Sequence, residues 1–429
     1  MAPSNFATTE NISNQVRRVD DSGVRRVVWL SAQANNRRLT VLKLALITEI
    51  IAPYRIPVFN AGAARPEIDL HVIFLSENDP TLRQWRVYKD EIKFHYRVLP
   101  AWRQRLGRYN LLLNRGVFSA LNRLRPDAVL CGGYNYLASW EAALWAKAHG
   151  VPLLLWTEST ALDQRAGHVP VEFLKARFLR MCPACVVSGK SSFRYLQELG
   201  IAREKIFTAP NAVDNDLFSK LAADARRDES AVRARHALPS RYFLSVGRVV
   251  KAKGASDLLE AYAQLDPEMR RQIGLVFVGD GAEFAKMREA AARIAPGTVQ
   301  FPGFVHREEL PEYYALADAF IFPTHSDTWG LVVNEALACS LPVIISKVAG
   351  CAEDLVQDGW NGFVLPPSDP AQLAMAMARL AGDSKLRLTM ASNSKEKIAA
   401  YSPEAWAEGA VRAAQFVCAK KKPAMTGRV

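Results

Sequence analysis

Two carboxylates eight positions apart, Asp327 and Glu335, stand in the stretch HSDTWGLVVNEALACSLPVIIS that runs from His325 to Ser346. The apolar run Ala319–Phe322 before it reads as a strand, and the stretch itself as the opening of a helix. Asp327 then falls in the connecting loop, and Glu335 about two turns along the helix. Between them, the backbone amides of Trp329, Gly330 and Leu331 would point out of the helix N-terminus. Amides without a helical partner, at the positive end of the helix dipole, form a seat suited to a diphosphate. A plainer reading stays open, in which Asp327 only caps the helix.

Other patterns with chemical potential are weaker. Asp214-Asn215-Asp216 has a metal-binding D-x-D spacing but lies inside the turn Pro210–Asp214. Gly279-Asp280-Gly281 begins a dinucleotide-binding G-x-G-x-x-G, yet Phe284 occupies the third glycine position. Cys182-Pro183-Ala184-Cys185 has the C-x-x-C spacing of redox centres and zinc knuckles, but no second pair completes a ligand set and Val186-Val187 reads as a buried strand. The seven histidines include no H-x-x-x-H pair. No metal and no nicotinamide cofactor is expected.

The elements that must position these residues follow from the apolar patterning. With 429 residues, the chain is expected to hold two or three domains at roughly 150 residues each, and two is the simplest count. Hydrophobic residues make up 49% and charged residues 23%, which excludes wholesale disorder and supplies two cores. Residues 1–39 are polar without sustained period and read as a tail. Short apolar runs at 41–47, 70–74, 128–130, 152–156 and 184–187 alternate with helical stretches such as 56–64, 137–149 and 191–199. After a polar stretch near 222–237 the pattern restarts, with runs at 242–246, 275–278, 319–322 and 342–345. Alternation of this kind means βαβ units and parallel sheets buried on both faces. The expected fold is α/β, with two facing Rossmann-like domains, 40–218 and 219–400, and an interdomain cleft into which the carboxyl ends of both sets of strands open. Residues 401–429 are expected to add a helix that crosses back to the first domain, and a basic tail.

No stretch reaches the roughly 18 to 20 apolar residues of a spanning helix, and no signal-like segment is evident, so the expected location is cytoplasmic. The formal charge is +12. From Arg83 to Arg125 eleven Lys or Arg face only Asp90 and Glu91, interleaved with Trp85, Tyr88, Phe94, Tyr96, Trp102, Tyr109 and Phe118. That mixture suits an anionic bilayer surface, and equally a solvated face over core aromatics. Nucleic acid is not expected, because no recognised module accompanies the charge.

The stretch from Asp327 to Glu335 resembles the E-x7-E signature of family 4 (group 1) retaining glycosyltransferases, in a W-G-L-V-V-N-E-A version with Asp in place of the first Glu. Ser245–Gly254 resembles that family's V-G-R…K-G loop, Pro302–Val305 its base-facing segment, and Ala209–Asp214 its P-N-x-V-D turn. The resemblance spans roughly Leu42 to Trp406 and implies the GT-B fold. It implies Asp327 by the donor sugar and Glu335 on the ribose hydroxyls. Thr328, Trp329, Gly330 and Leu331 would line the donor, Arg248 and Lys253 would neutralise the diphosphate, and Phe304 or Val305 would face the base. Pro53, Tyr54 and Arg55 occupy the first strand-to-helix loop, which faces the acceptor in such enzymes. Where the family often has a histidine after the fourth strand, this chain has Trp156-Thr157-Glu158-Ser159, leaving Glu158 as the substitute. The implied activity is glycosyl transfer with retention from a nucleotide sugar, UDP- or GDP-linked, to a saccharide or lipid-linked saccharide. Polysaccharide or envelope glycan assembly is the expected setting, with peripheral association at the inner face of the cytoplasmic membrane. The alternatives are a non-catalytic scaffold of the same fold or, less favoured, an epimerase or phosphorylase.

Overall fold

The computed structural model describes residues 41–79, 85–106, 109–161 and 169–419. The tail expected at 1–39 and the basic end at 420–429 lie outside them. The first domain contains β1 (Leu42–Thr48), β2 (Ile68–Phe74), β3 (His95–Val98), a hairpin of β4 (Ala101–Leu106) and β5 (Tyr109–Asn114), β6 (Ala128–Gly132), β7 (Leu153–Thr157), β8 (Ala184–Val187) and β9 (Ile206–Thr208). Apart from the antiparallel hairpin these strands form one parallel sheet in the order β3-β2-β1-β6-β7-β8-β9. The second domain contains β10 (Tyr242–Val246), β11 (Gly274–Val278), β12 (Val299–Gly303), β13 (Ala319–Phe322), β14 (Val343–Ser346) and β15 (Gly362–Leu365). They pair in parallel in the order β12-β11-β10-β13-β14-β15. In each sheet the direction of winding reverses beside the first strand, between β1 and β6 and between β10 and β13. Such reversals splay neighbouring loops apart at the carboxyl ends of the strands and open a crevice there.

Core strands such as Leu153–Thr157 and Gly274–Val278 are buried along their whole length, as strands covered by helices on both faces must be. The chain passes from one core to the other between Ala212 and Val213. Asp214 caps the helix Asn215–Arg227 by accepting the Leu217 amide at 2.9 Å. Phe218, Ala222 and Ala225 on one face of this helix pack into the second core, so the boundary expected at 218/219 falls inside it. The D-x-D thus serves a helix start. The polar stretch 222–237 is likewise helical, over Asn215–Arg227 and Glu229–His236.

The last helix, Pro403–Ala419, returns to the first domain. Trp406, Ala410, Val411, Ala414 and Val417 recur at helical spacing and enter the first core, where the Trp406 ring lies 5.6 Å from Phe59 and 5.4 Å from Trp156. Truncating a tryptophan so placed costs roughly 3–5 kcal/mol, so this helix is held firmly to the first domain.

The basic and aromatic stretch divides. Tyr88 and Phe94 are core residues, whereas Tyr96, Trp102 and Phe118 are exposed. Arg103 does not face solvent: it pairs with the buried Asp79 at 2.5 Å and with Glu49 at 3.6 Å. A residue counted toward a cationic surface is therefore the pin that holds the β4–β5 hairpin over the loops after β1 and β2. The side chains of Arg105 and Arg108 lie outside the described residues. Cys182 and Cys185 are buried free thiols, and burial pushes the Cys185 thiol up to about 12. A thiol so held does not support redox chemistry at neutral pH.

Candidate active site

The residues expected to meet a donor stand on two loops that strand order makes neighbours, those following β10 and β13. They are laced together through one carbonyl. Ala252 O accepts the His325 amide at 2.9 Å, the Thr324 hydroxyl at 2.9 Å and the Ser326 amide at 3.3 Å. This brings Lys253 onto Asp327 as an ion pair between partly buried groups. The other oxygen of Asp327 accepts the Trp329 amide at 3.1 Å. Asp327 thus shapes its own loop but does not cap the helix, whose N-cap is Gly330 with no side-chain hydrogen bond.

The anion seat is narrower than expected. Trp329 spends its amide on Asp327, and its side chain turns inward, where the indole N–H donates to Asn334 at 2.9 Å. Of the three amides expected to form the seat, those of Gly330 and Leu331 have no protein acceptor among the described residues. Gly330 begins the helix Leu331–Ala338 at φ +102°, a conformation that favours glycine. Behind the loop a Cβ on Gly350 would lie 1.9 Å from the Thr328 carbonyl, so backbone meets backbone and fixes the loop from below. Of the two expected cations, Lys253 is engaged by Asp327, while Arg248 is exposed and, among the described residues, has no partner.

Glu335 lies one turn into the helix rather than two, because the helix starts only at Leu331. The Tyr314 hydroxyl donates to it at 2.8 Å. Burial lifts its carboxyl from 4.5 to about 7, with the Tyr314 hydrogen bond pulling the other way. The carboxylate is thus short of hydrogen-bond donors, as a group awaiting ligand hydroxyls would be. Phe304 is exposed beside His306, and Val305 packs against the second core. Just beyond them, Arg307 pairs with Glu91 and lies 4.0 Å from the Tyr88 ring centre, so this segment touches the first domain.

In the loop after β1, expected to face an acceptor, Pro53 is buried and Tyr54 stands edge-on to Trp85 at 5.7 Å. Arg55 forms an ion pair with Glu158, donates to Asn211 Oδ1 at 2.8 Å and lies 4.3 Å from the Trp156 ring centre. Residues from the loops after β1 and β7 and from the interdomain turn therefore form one cluster. Among the described residues no group of three or more His, Cys, Asp or Glu could hold a metal, and no helix is long and apolar enough to cross a membrane.

Two family models match the chain in succession, Glycosyltransferase Family 4 over residues 61–217 and Glycosyl transferases group 1 over residues 227–397. The chain belongs to the family 4, group 1 glycosyltransferases. One relative is an alpha-D-kanosaminyltransferase of Streptomyces kanamyceticus, 32% identical over 42% of this chain and 46% of its own length. Another is D-inositol 3-phosphate glycosyltransferase 1 of Catenulispora acidiphila, 28% identical over 64% of this chain and 69% of its own. The chain thus spans under half the length of the first relative. An Anabaena protein, HepE, solved in complex with UDP-glucose, shares the fold at a TM-score of 0.67 and 20% identity, covering 88% of this chain and 100% of its own. Both facing domains are of the GT-B type.

Within this glycosyltransferase frame, sequence reasoning missed Asn334 and the side-chain role of Asn211. Both are almost fully buried, at 0% and 1% exposure. A polar residue inside the apolar run Leu331–Ala338 was the one available signal, because a buried amide must find partners.

Proposed function

We propose that the chain moves a glycosyl group from a UDP- or GDP-sugar to a saccharide or lipid-linked saccharide acceptor, with retention of configuration. The observation that carries this reading is the donor cluster: Asp327 with Lys253, two partnerless amides at Gly330 and Leu331, and Glu335 poised for hydroxyls on one helix. The complex of HepE with UDP-glucose and the names of the transferase relatives support the same class of donor.

In this reading Glu335 accepts from the ribose hydroxyls and the base lies against Phe304 and Val305. The diphosphate lies between Arg248 and the amides of Gly330 and Leu331. As the bond from the anomeric carbon to the phosphate oxygen breaks, negative charge grows on the diphosphate, where fixed cations and amides stabilise it more than in the ground state. Asp327, oriented by Lys253 and the Trp329 amide, holds the donor sugar hydroxyls. The acceptor hydroxyl attacks the same face of the anomeric carbon and gives its proton to the departing phosphate oxygen. Arg55 and Glu158 hold acceptor hydroxyls. No metal enters any step of this scheme.

A membrane-side acceptor is the finer proposal, resting on the exposed Trp102 and Leu111 of the β4–β5 hairpin rather than on Arg103. It would place the chain at the inner face of a membrane, in polysaccharide or envelope glycan synthesis. A melting-temperature panel of UDP-, GDP-, ADP- and dTDP-sugars tests the donor reading. One nucleotide class should stabilise the wild type and not Glu335→Ala; no stabilisation by any of them would favour a scaffold role.

A further inference from the structure

The two halves of the site are joined by an unbroken line of polar contacts through the domain junction. Arg55, on the acceptor loop, donates to Asn211 Oδ1 at 2.8 Å. The backbone carbonyl of the same Asn211 accepts from Asn334 Nδ2 at 3.0 Å. Asn334 Oδ1 accepts the Trp329 indole at 2.9 Å, and Trp329 is the residue whose amide holds Asp327. Asn211, Asn334 and Trp329 are all at most 2% exposed.

Two features set this line apart from ordinary packing. Asn334 lies between apolar neighbours on a helix face that otherwise enters the second core, where an aliphatic side chain would fill the space without needing partners. Instead it uses its amide to tie Trp329 to the turn between the domains. The Trp329 ring is gripped from the other domain as well. A Cβ on Gly189 would lie 2.6 Å from Trp329 Cζ3 and 2.5 Å from Asp354 Oδ2, so the first domain's backbone is pressed against the indole. Trp329 is thereby anchored at nitrogen and ring by groups that move with the domain junction. Asn334 also directly precedes Glu335 in the helix, so the same anchor bears on both acids of the donor site.

We propose that Asn211 and Asn334 are positioning residues that couple the acceptor-side Arg55–Glu158 pair to the donor loop, so that nucleotide affinity depends on Arg55. This rests on the donor reading above. In a buried polar network a displaced partner is felt along the line, because leaving an amide unpaired is costly. When an acceptor draws Arg55 or Glu158 away, the turn at Asn211 relaxes, Asn334 shifts, and Trp329 carries Asp327 with it.

The test titrates UDP and GDP against the full chain and takes the dissociation constant of whichever binds. Arg55→Met and Asn211→Ala, neither at the nucleotide, should each weaken binding about fivefold or more, within the usual range of site-to-site coupling. Asn334→Leu should weaken it further, and adding Arg55→Met to it should change nothing. Paired with Arg248→Ala, Arg55→Met should have its full separate effect. Should Asn334→Leu not fold, Asn211→Ala alone decides, since it keeps the carbonyl that Asn334 needs and removes only the Arg55 link. Wild-type binding that Arg55→Met and Asn211→Ala leave within twofold, or effects of Arg55→Met and Asn334→Leu that simply add, would overturn the coupling and spare the donor reading. Failure of the wild type to bind either nucleotide would overturn both.

Discussion

Glu335 is held in an environment that opposes its charge, and replacing it with glutamine should stabilise the nucleotide-free protein in a pH-dependent way. In the unfolded chain a glutamate loses its proton near 4.5; in the fold, burial delays that loss to about 7. The folded state therefore binds more protons than the unfolded state between those values, and stability falls as pH rises through the window. The full penalty, present above pH 7, is roughly 3 kcal/mol, and it vanishes below pH 4.5. Glutamine keeps an oxygen for the Tyr314 hydroxyl and carries no charge. Glu335→Gln should then gain about 3 kcal/mol at pH 8 but under about 1 kcal/mol at pH 5. For a domain of this size that is on the order of 6–12 °C in melting temperature at the higher pH. Differential scanning calorimetry of both proteins at the two pH values reads it directly. Equal gains at both would refute the argument, since they would show an ordinary titration for Glu335 in the fold. The same variant should lose stabilisation by nucleotide sugar, trading ligand binding for stability.

Further outcomes follow from the same geometry. Because ligand hydroxyls demand the ionised acid, affinity for the nucleotide sugar should tighten as pH rises from about 6 to 8 in the wild type, and a calorimetric titration should find that slope absent in Glu335→Gln. Arg248→Ala should change stability by no more than about 0.5 kcal/mol while weakening the donor, as an exposed residue does; Lys253→Met, which strips Asp327 of its partner, should lower both the melting temperature and the turnover of nucleotide sugar. On the hairpin, Arg103→Ala should destabilise the fold by removing the ion pairs to Asp79 and Glu49 that pin the hairpin over the loops after β1 and β2, measured by urea denaturation. Trp102→Ser on the outer face should leave stability nearly unchanged and reduce sedimentation with anionic liposomes.

Much of the fold was legible because parallel strands covered on both faces read as short apolar runs, and the runs at 184–187, 242–246 and 319–322 coincide with β8, β10 and β13. The helix carrying Glu335 was legible too, since its loop, glycine and apolar run follow one another within a few residues. Its start comes a turn later than expected because the turn Asp327–Gly330, held by the Asp327 carboxylate, precedes it. The place of Arg103 was not legible for a related reason: charge is visible in a sequence, but the burial of Asp79 that claims Arg103 is not.

What the sequence by itself determined is local: which segments are strands and helices, that the chain makes two parallel sheets, and that acids flank a helix start. The tertiary structure decided which of these segments meet. Lys253 reaches Asp327 because β10 and β13 are neighbours, and Arg55 reaches Glu158 and Asn211 because the loops after β1 and β7 close over the turn between the domains. The facing of Trp329 was decided in the same way. Periodicity records the face an element buries, while the partner that face finds depends on strand order and domain docking, which bring together residues far apart in the chain.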